Sequence, residues 1–517
     1  MSKKLYFLLF MFSAGLQAQD FIWVQTPEIN ITTNPDLVGY CTAVDKFNNI
    51  YTAGFKGNAY SYGEIFGDVF FNKLNTIGEV QFSKTFAGRV TVYDMMTDAS
   101  GNVFMAIGYV NSVVFDTLAF LTEDQGIQPL LVKFDPSGNL LWHYTPSISE
   151  SVETKFRALT VDASGNVYLG LDNFQHSYIQ KLSSNGTPGA IITQTNVSML
   201  TSLDTDTEGN IYAAGSCADP NAIFGGVSAP TTFNYNTWIV KYSPTGVFQW
   251  MQYVDDITCS RAAVRANTPD QVYFSSDLYG AYSFGSITVE GPTVGLFNDV
   301  FIAKLNASGT FEWVKEVPGG GTLDHGYRNF LATDAQGHVY FVGKTRGTIN
   351  WDESTTTAAQ GFSSDAIVLK FDASGLLQFT KTAGGASEDR IDAVAIDNLE
   401  RIYVSGMARG NATFDEITHE AEGVTVYAFT AQIGSNVILG DEDPQSLSVK
   451  AWPNPASESI QLSGLTSPVK GDIVNLLGQR LATFEMAPNE SLDVTSLPKG
   501  IYFLRIQGYA AVKFIKA

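Results

Sequence analysis

The sequence predicts an all-β protein: a closed ring of seven four-stranded repeats, followed by a small β-sandwich. Three observations predict it. A turn motif recurs seven times, a second fixed spacing follows each copy, and a strand near the N-terminus supplies what the seventh repeat lacks. Composition agrees. Of 517 residues, 44% are hydrophobic, 13% aromatic and only 16% charged, with 47 glycines. Aromatic and β-branched residues suit pleated, half-buried surfaces, and glycine suits turns. So low a charge content argues against a disordered chain.

The turn motif reads DKFNNIY from Asp45, DASGNVF from Asp98, DASGNVY from Asp162 and DTEGNIY from Asp206. It continues as NTPDQVY from Asn267, DAQGHVY from Asp334 and DNLERIY from Asp397. Asp and Asn side chains bond their own backbone and Gly or Asn accepts positive φ, so each copy is a tight hairpin between a first and a second strand. Each ends on an aromatic, from Tyr51 to Tyr403. A third strand then ends in Lys73, Lys133, Lys181, Lys241, Lys304 or Lys370, with Gln432 in the last copy. Nine residues after each lysine come Phe82, Trp142, Ala190, Trp250, Trp313 and Phe379. A constant spacing marks a second fixed hairpin, because a one-residue slip would turn every side chain to the wrong face.

The other connections vary. From the second-strand aromatic to the lysine the gap runs from 13 to 31 residues. In an up-and-down arrangement these long loops gather on one face, where function usually sits. The seventh repeat stops after its third strand. The missing strand is Phe21-Ile22-Trp23-Val24-Gln25-Thr26, and pairing it with the last repeat closes the ring and removes an edge. The expected architecture is therefore a seven-bladed β-propeller. Its repeat resembles the bacterial SBBP β-propeller repeat family, through the DASGNVY-type turns, VFIAKLNASGTFEW at 300–313 and GGASEDRIDAVAID at 384–397. That resemblance implies a fold and no ligand.

The ends of the chain carry addresses. Lys3 and Lys4, the apolar run Leu5–Phe12 and Leu16-Gln17-Ala18 read as a removable secretory signal over 1–18, too short to span a bilayer. The ring is expected over 19–435, a linker over 436–447, and a sandwich of short alternating strands over 448–517. This last module resembles the type A C-terminal sorting domain of the type IX secretion system of Bacteroidetes. The matching segments are the PNPA box at 453–456, LLGQR at 476–480, LPKGIYFLRI at 497–506 and the closing lysine. The sorting positions are then Pro453, Asn454, Pro455, Gly478, Gln479, Gly500, Tyr502 and Lys516. The resemblance implies passage through the type IX machinery, removal by its C-terminal processing protease, and release or attachment to surface glycolipid.

Chemistry is sparse. The net charge of −21 excludes the basic stripe that nucleic-acid binding needs. The five histidines show no HExxH spacing and no GxSxG elbow is present, so no catalytic residue, metal or cofactor is assigned. Charged residues in loops leading to the inner strands are the candidate site. They are Arg157, Asp256, Asp324, His325, Arg328, Asp389 and Arg390, with Lys155, Asp255 and Glu388 beside them. His325 next to Asp324 is the candidate general base, because a neighbouring carboxylate orients an imidazole; solvated loop charge is the alternative. Of three cysteines, Cys217 and Cys259 are the candidate disulfide, with buried free thiols as the other reading. The expected function is a secreted or cell-surface binding or scaffold module for an unknown glycan or protein. The alternative is an extracellular polysaccharide hydrolase or lyase with its site on the long-loop face.

Overall fold

The computed structural model describes residues 19–26, 40–61, 64–123, 126–146, 154–230, 236–255, 261–291, 299–352, 355–360, 363–420, 426–435, 450–463, 465, 469–475, 480–488, 490–506 and 512–517. Every regular element among them is a strand. The chain divides into two compact units between Ser435 and Asn436. The signal segment 1–18, Asp256, Cys259, Gly478 and Gln479 lie outside the described residues.

Register explains the spacings. The second-strand aromatic pairs directly with the third-strand lysine, and the lysine with the aromatic nine residues on. The rows are Tyr51–Lys73–Phe82, Phe104–Lys133–Trp142 and Tyr212–Lys241–Trp250, then Tyr273–Lys304–Trp313 and Tyr340–Lys370–Phe379. In four of these rows the lysine ammonium lies over the ring it faces, 4.6 Å from the Phe104 centroid for Lys133 and 5.0 Å from that of Tyr340 for Lys370; Lys304 instead pairs with Glu312 at 2.8 Å. Such a cation–π contact contributes about 0.5–1 kcal/mol. The six-residue step from turn acid to tyrosine also has a cause: the phenol reaches back to that acid. Tyr212 donates to Asp206 Oδ2 and Tyr340 to Asp334 Oδ2, each at 2.8 Å. Phe104 has no hydroxyl, and there Lys133 holds the acid instead, 3.0 Å from Asp98 Oδ2.

The fourth-strand aromatic joins one sheet to the next. Trp250 Nε1 donates to Ala307 O in the following turn at 2.9 Å, and its ring covers Gly309. Gly309 has φ +78°, and a Cβ there would lie 2.6 Å from the ring. Gly309→Ala should therefore lower stability by about 2 kcal/mol or more, combining a left-handed backbone with a steric clash. A loss below about 0.5 kcal/mol in denaturant titration would show that the indole simply swings aside. Trp313 makes the same bridge to Ala373 O at 3.1 Å. Trp23 makes it from the last sheet to the first, donating to Thr76 O at 3.0 Å while its ring covers Gly78.

The strand Gln19–Gln25 pairs antiparallel with Val426–Ser435, placing Trp23 opposite Gln432 in the row begun by Tyr403. The first strands of successive repeats touch in cyclic order. Tyr40–Val44 meets Val80–Thr97, which meets Lys155–Val161, then Met199–Thr205, Ala263–Thr268, Leu331–Thr333 and Arg390–Ile396, which returns to Tyr40–Val44.

Two features depart from the sequence reading. The fourth strand of the first repeat and the first strand of the second are one 18-residue strand, Val80–Thr97, with a register shift at Gly88/Arg89 where pairing passes from one neighbour to the other. The long connections also hold hairpins of their own. Phe115 pairs Leu118, Phe224 pairs Val227, Phe284 pairs Ile287 and Phe414 pairs Ile417. Each of these phenylalanines is buried.

The second unit holds two antiparallel sheets around one core that includes Ala456, Ile460, Leu462, Ile473, Leu504 and Phe514. Its closing strand seats the PNPA box. Asn454 Oδ1 accepts from Ile515 N at 2.9 Å, Asn454 Nδ2 donates to Lys513 O at 3.1 Å, and Ala456 bridges Lys516. Tyr502 stacks on Phe514 and donates to Pro498 O at 2.7 Å. Two motifs about 60 residues apart in sequence thus form one structural feature.

Candidate functional site

The first strands start beside a network of buried charge. Lys155 and Arg157 both reach Glu64, although the register shifts between Phe156 and Ala158 and interrupts the pleat at Arg157. Arg157 Nε donates to Asp172 Oδ2 at 2.8 Å and its Nη1 to Glu64 Oε1 at 3.2 Å; Lys155 Nζ lies 3.4 Å from the same Glu64 oxygen. All four side chains are at most 9% exposed, so the charges must satisfy one another. Burial alone would raise the Glu64 carboxyl, yet Arg157, Arg261, Arg328 and Lys155 outweigh it and hold the group below the usual carboxylate range.

Segment 326–330 carries the network to distant strands. Arg328 N and Asn329 O bond the neighbouring strand at Asp392 O and Val394 N. Asn329 Nδ2 donates at 2.6 Å to Asp94, which lies 235 residues away in sequence. Burial lifts Asp94 to about 6. Arg261 Nη1 and Arg328 Nη1 share the carbonyl of Tyr327, at 2.6 and 3.1 Å. Burial and then the neighbouring Arg328 lower Arg261 to about 10. Arg390 pairs Asp392 at 2.9 Å and lies 4.4 Å from the centroid of the Tyr327 ring. A cavity of about 10 Å³ lies here, lined by Thr201, Ser202, Arg261, Arg265, Arg328 and Asn329 among others.

Three predicted residues, Arg157, Arg328 and Arg390, therefore belong to this network, together with Lys155. Asp324 and His325 do not form the pair that their adjacency suggested. Consecutive strand residues point to opposite faces: Asp324 approaches Lys344 at 3.8 Å, while His325 Nε2 approaches Asp277 at 3.5 Å. His325 Nδ1 donates to Gly326 O at 2.8 Å and the ring stacks on Phe330. Cys217 is a buried free thiol whose Sγ lies 3.0 Å from Asn196 O. Sequence reasoning missed Glu64, Asp94, Arg261 and Asn329, whose partners come from other repeats, and Asp172, whose partner Arg157 lies on the adjacent strand of its own repeat.

Asp389 has a different companion. It accepts from Gly385 N and Arg409 N, and with Asp365 it crowds Gly384, where a Cβ would lie 2.7 Å from Asp365 Oδ1 and 2.8 Å from Asp389 Oδ2. Burial lifts Asp365 to about 6 and Asp389 to about 7, the latter helped by its carboxylate neighbours Asp365 and Glu388. Groups raised in this way stabilise the fold below the ordinary carboxylate range and lose that contribution as pH rises through 6–7. Asp365→Asn places an amide opposite Asp389. The variant should gain about 1 kcal/mol over the parent at pH 8 and nothing at pH 5. An equal difference at both pH values, by denaturant titration, would rule out the coupling.

Among the described residues one triad has metal-like spacing: Asp334, His338 and Glu400. It is already filled. Asp334 Oδ2 contacts His338 Nδ1 at 2.6 Å and accepts from Tyr340, and Lys370 Nζ lies 3.9 Å from Asp334 and 4.0 Å from Glu400.

Residues 450–516 match the family model described as the secretion system C-terminal sorting domain. This segment is a type IX secretion sorting domain. The sorting domain directs the protein to the type IX machinery, and so to the cell surface or the medium. Among the described residues no helix is long and apolar enough to cross a membrane. No curated protein sequence matches the chain. Similar solved structures include a Dos1 propeller, 11% identical over 78% of this chain and 95% of that one with a TM-score of 0.38. Hydrazine synthase of Kuenenia stuttgartiensis is 11% identical, covering 72% and 94%, at 0.41. Virginiamycin B lyase of Staphylococcus aureus is 10% identical, covering 79% and 99%, at 0.35.

Proposed function

We propose that residues 19–435 form a seven-bladed β-propeller of SBBP-type repeats, four strands to a blade, that serves outside the cell as a binding or scaffold module. A signal over 1–18 starts its export, and the sorting domain completes it. The cyclic contacts of the first strands and the pairing of Gln19–Gln25 with Val426–Ser435 support the closed ring.

The filled centre carries the functional reading. Polysaccharide hydrolysis or elimination needs a cleft for a sugar ring beside an acid and a base, and ligand pockets run to roughly 300–1,000 Å³. Here the cavity among the inner arginines measures about 10 Å³. The carboxylates are occupied too: Asp94 accepts from Leu159 N at 2.8 Å as well as from Asn329. This cavity is too small for a sugar ring, so a glycan or protein ligand is assigned to the outer loops and hairpins. The purified full-length protein, applied to a glycan array with product analysis of every hit, should retain a ligand without consuming it. Turnover of any hit would sink this reading.

The address is testable separately. Deleting residues 450–517 should leave the protein within the cell envelope, seen by fractionation and immunoblot. Undiminished surface or medium protein would place the signal elsewhere.

A further inference from the structure

We infer that the cavity lined by Arg261, Arg265 and Arg328 is a binding site for a small anion. Three guanidiniums face one small space, and among the described residues none of them has a carboxylate within 4.0 Å. Arg261 and Arg328 are forced together, since both donate to the carbonyl of Tyr327. A single carbonyl dipole does not offset two like charges. Arg328 Nε is buried without a hydrogen-bond partner, and an unmet donor on a charged group is expensive. Arg265 spends one nitrogen on Val264 O at 2.7 Å and approaches Ser202 Oγ at 3.4 Å. Thr201, Ser202 and Asn329 add neutral polar groups to the same wall. The nearby carboxylates bond other groups, Glu64 with Lys155 and Arg157, Asp392 with Arg390, Asp94 with Asn329 and Asp204 with Ala266 N, while the charges of Glu64, Asp94 and Asp204 act on these arginines from farther off.

Size limits the ligand. About 10 Å³ admits one water-sized group, so the occupant is a halide ion or a single carboxylate oxygen, not a sugar or a phosphate ester. Both present the same chemistry to the arginines, a compact negative charge that accepts several N–H bonds. This site stands whether or not the outer loops bind a glycan.

The test uses the full-length protein at constant ionic strength, melted in sodium sulfate, whose ion is too large for the cavity by the same size limit, with increasing chloride or with increasing glucuronate. At 100 times Kd the melting temperature should rise by roughly 3 °C. A rise with chloride assigns a solution halide. A rise with glucuronate that chloride competes away assigns the carboxylate of an acidic ligand. No rise with either anion overturns the proposal. Arg328→Gln should abolish the response in a variant whose far-UV spectrum is unchanged; a folded variant with an undiminished response would also overturn it. Because that variant risks misfolding, crystals of the unaltered protein soaked in bromide give a second readout. An anomalous peak between Arg261 and Arg328 is expected, and an empty cavity at saturating bromide refutes the site.

Discussion

Deleting residues 19–26 is expected to abolish the cooperative melting transition of the first unit and to yield aggregates on size-exclusion chromatography. The strand contributes Phe21 and Trp23, 5% and 9% exposed, to two separate clusters. Phe21 packs edge-on against Phe414 and its N–H donates to Asp415 Oδ2 at 2.8 Å. Trp23 Nε1 donates to Gln432 Oε1 at 2.8 Å and to Thr76 O, joining the last sheet to the first. Without this strand, Val426–Ser435 presents an unpaired edge of mostly buried residues, which is a template for intermolecular pairing. The single substitution Trp23→Ala should cost about 3–5 kcal/mol, the range for removing a large aromatic from a core. Trp250→Ala is the control, because it breaks the same kind of bridge between sheets that the chain already links covalently. Trp23→Ala should be the more damaging. If the two variants lose equal stability, the closing strand is ordinary packing and not a clasp.

That strand was legible because its evidence is local: an aromatic at the right place in a strand whose repeat lacked one. The same holds for the lysine rows, since nine residues of sequence and one tight turn decide which side chains face each other. The connector hairpins were equally local but went unread. Phe-Gly-Gly-Val at 224–227, Phe-Gly-Ser-Ile at 284–287, Phe-Asp-Glu-Ile at 414–417 and Phe-Asp-Thr-Leu at 115–118 are one recurring signal, with positive φ at Gly225, Gly226, Gly285, Asp415 and Asp116. Such two-residue turns need left-handed backbone, which Gly and Asp supply. The central network was a different matter. Glu64 and Arg157 lie 93 residues apart, and nothing in either local sequence marks the other. Charges lead into the inner strands in many positions, and only three-dimensional closure decides which meet. Asp324 and His325 show the converse, since adjacency in sequence parts side chains that a strand points to opposite faces.

Arg157→Met is the sharper probe of the network. The arginine is held ionised: burial opposes its charge, while Asp172 and then Glu64 outweigh burial and raise its proton affinity. Removing it leaves Asp172 buried with no cation at ion-pair distance among the described residues, and leaves Glu64 with Lys155 at ion-pair distance and Arg261 and Arg328 farther off. Breaking one side of a buried pair costs about 3–5 kcal/mol, because the surviving charge stays desolvated. The pH dependence carries the sign. In the parent, Glu64 is depressed, so its contribution is present above the unfolded carboxylate value and fades as pH falls through the lower folded value. In the variant Asp172 loses its ion-pair cation and Glu64 one of its cations, so both titrate upward and acid now relieves the stranded charge. The deficit relative to the parent should be largest at pH 7.5 and shrink by half or more at pH 4.5, read from denaturant midpoints. Adding Asp172→Asn to Arg157→Met should recover part of the loss at pH 7.5, because the amide needs no counter-charge. A deficit independent of pH, unrelieved by the second substitution, would mean that Arg157 matters for the packing of its stem against Phe174, whose ring centroid lies 5.9 Å from the guanidinium, and not for its charge.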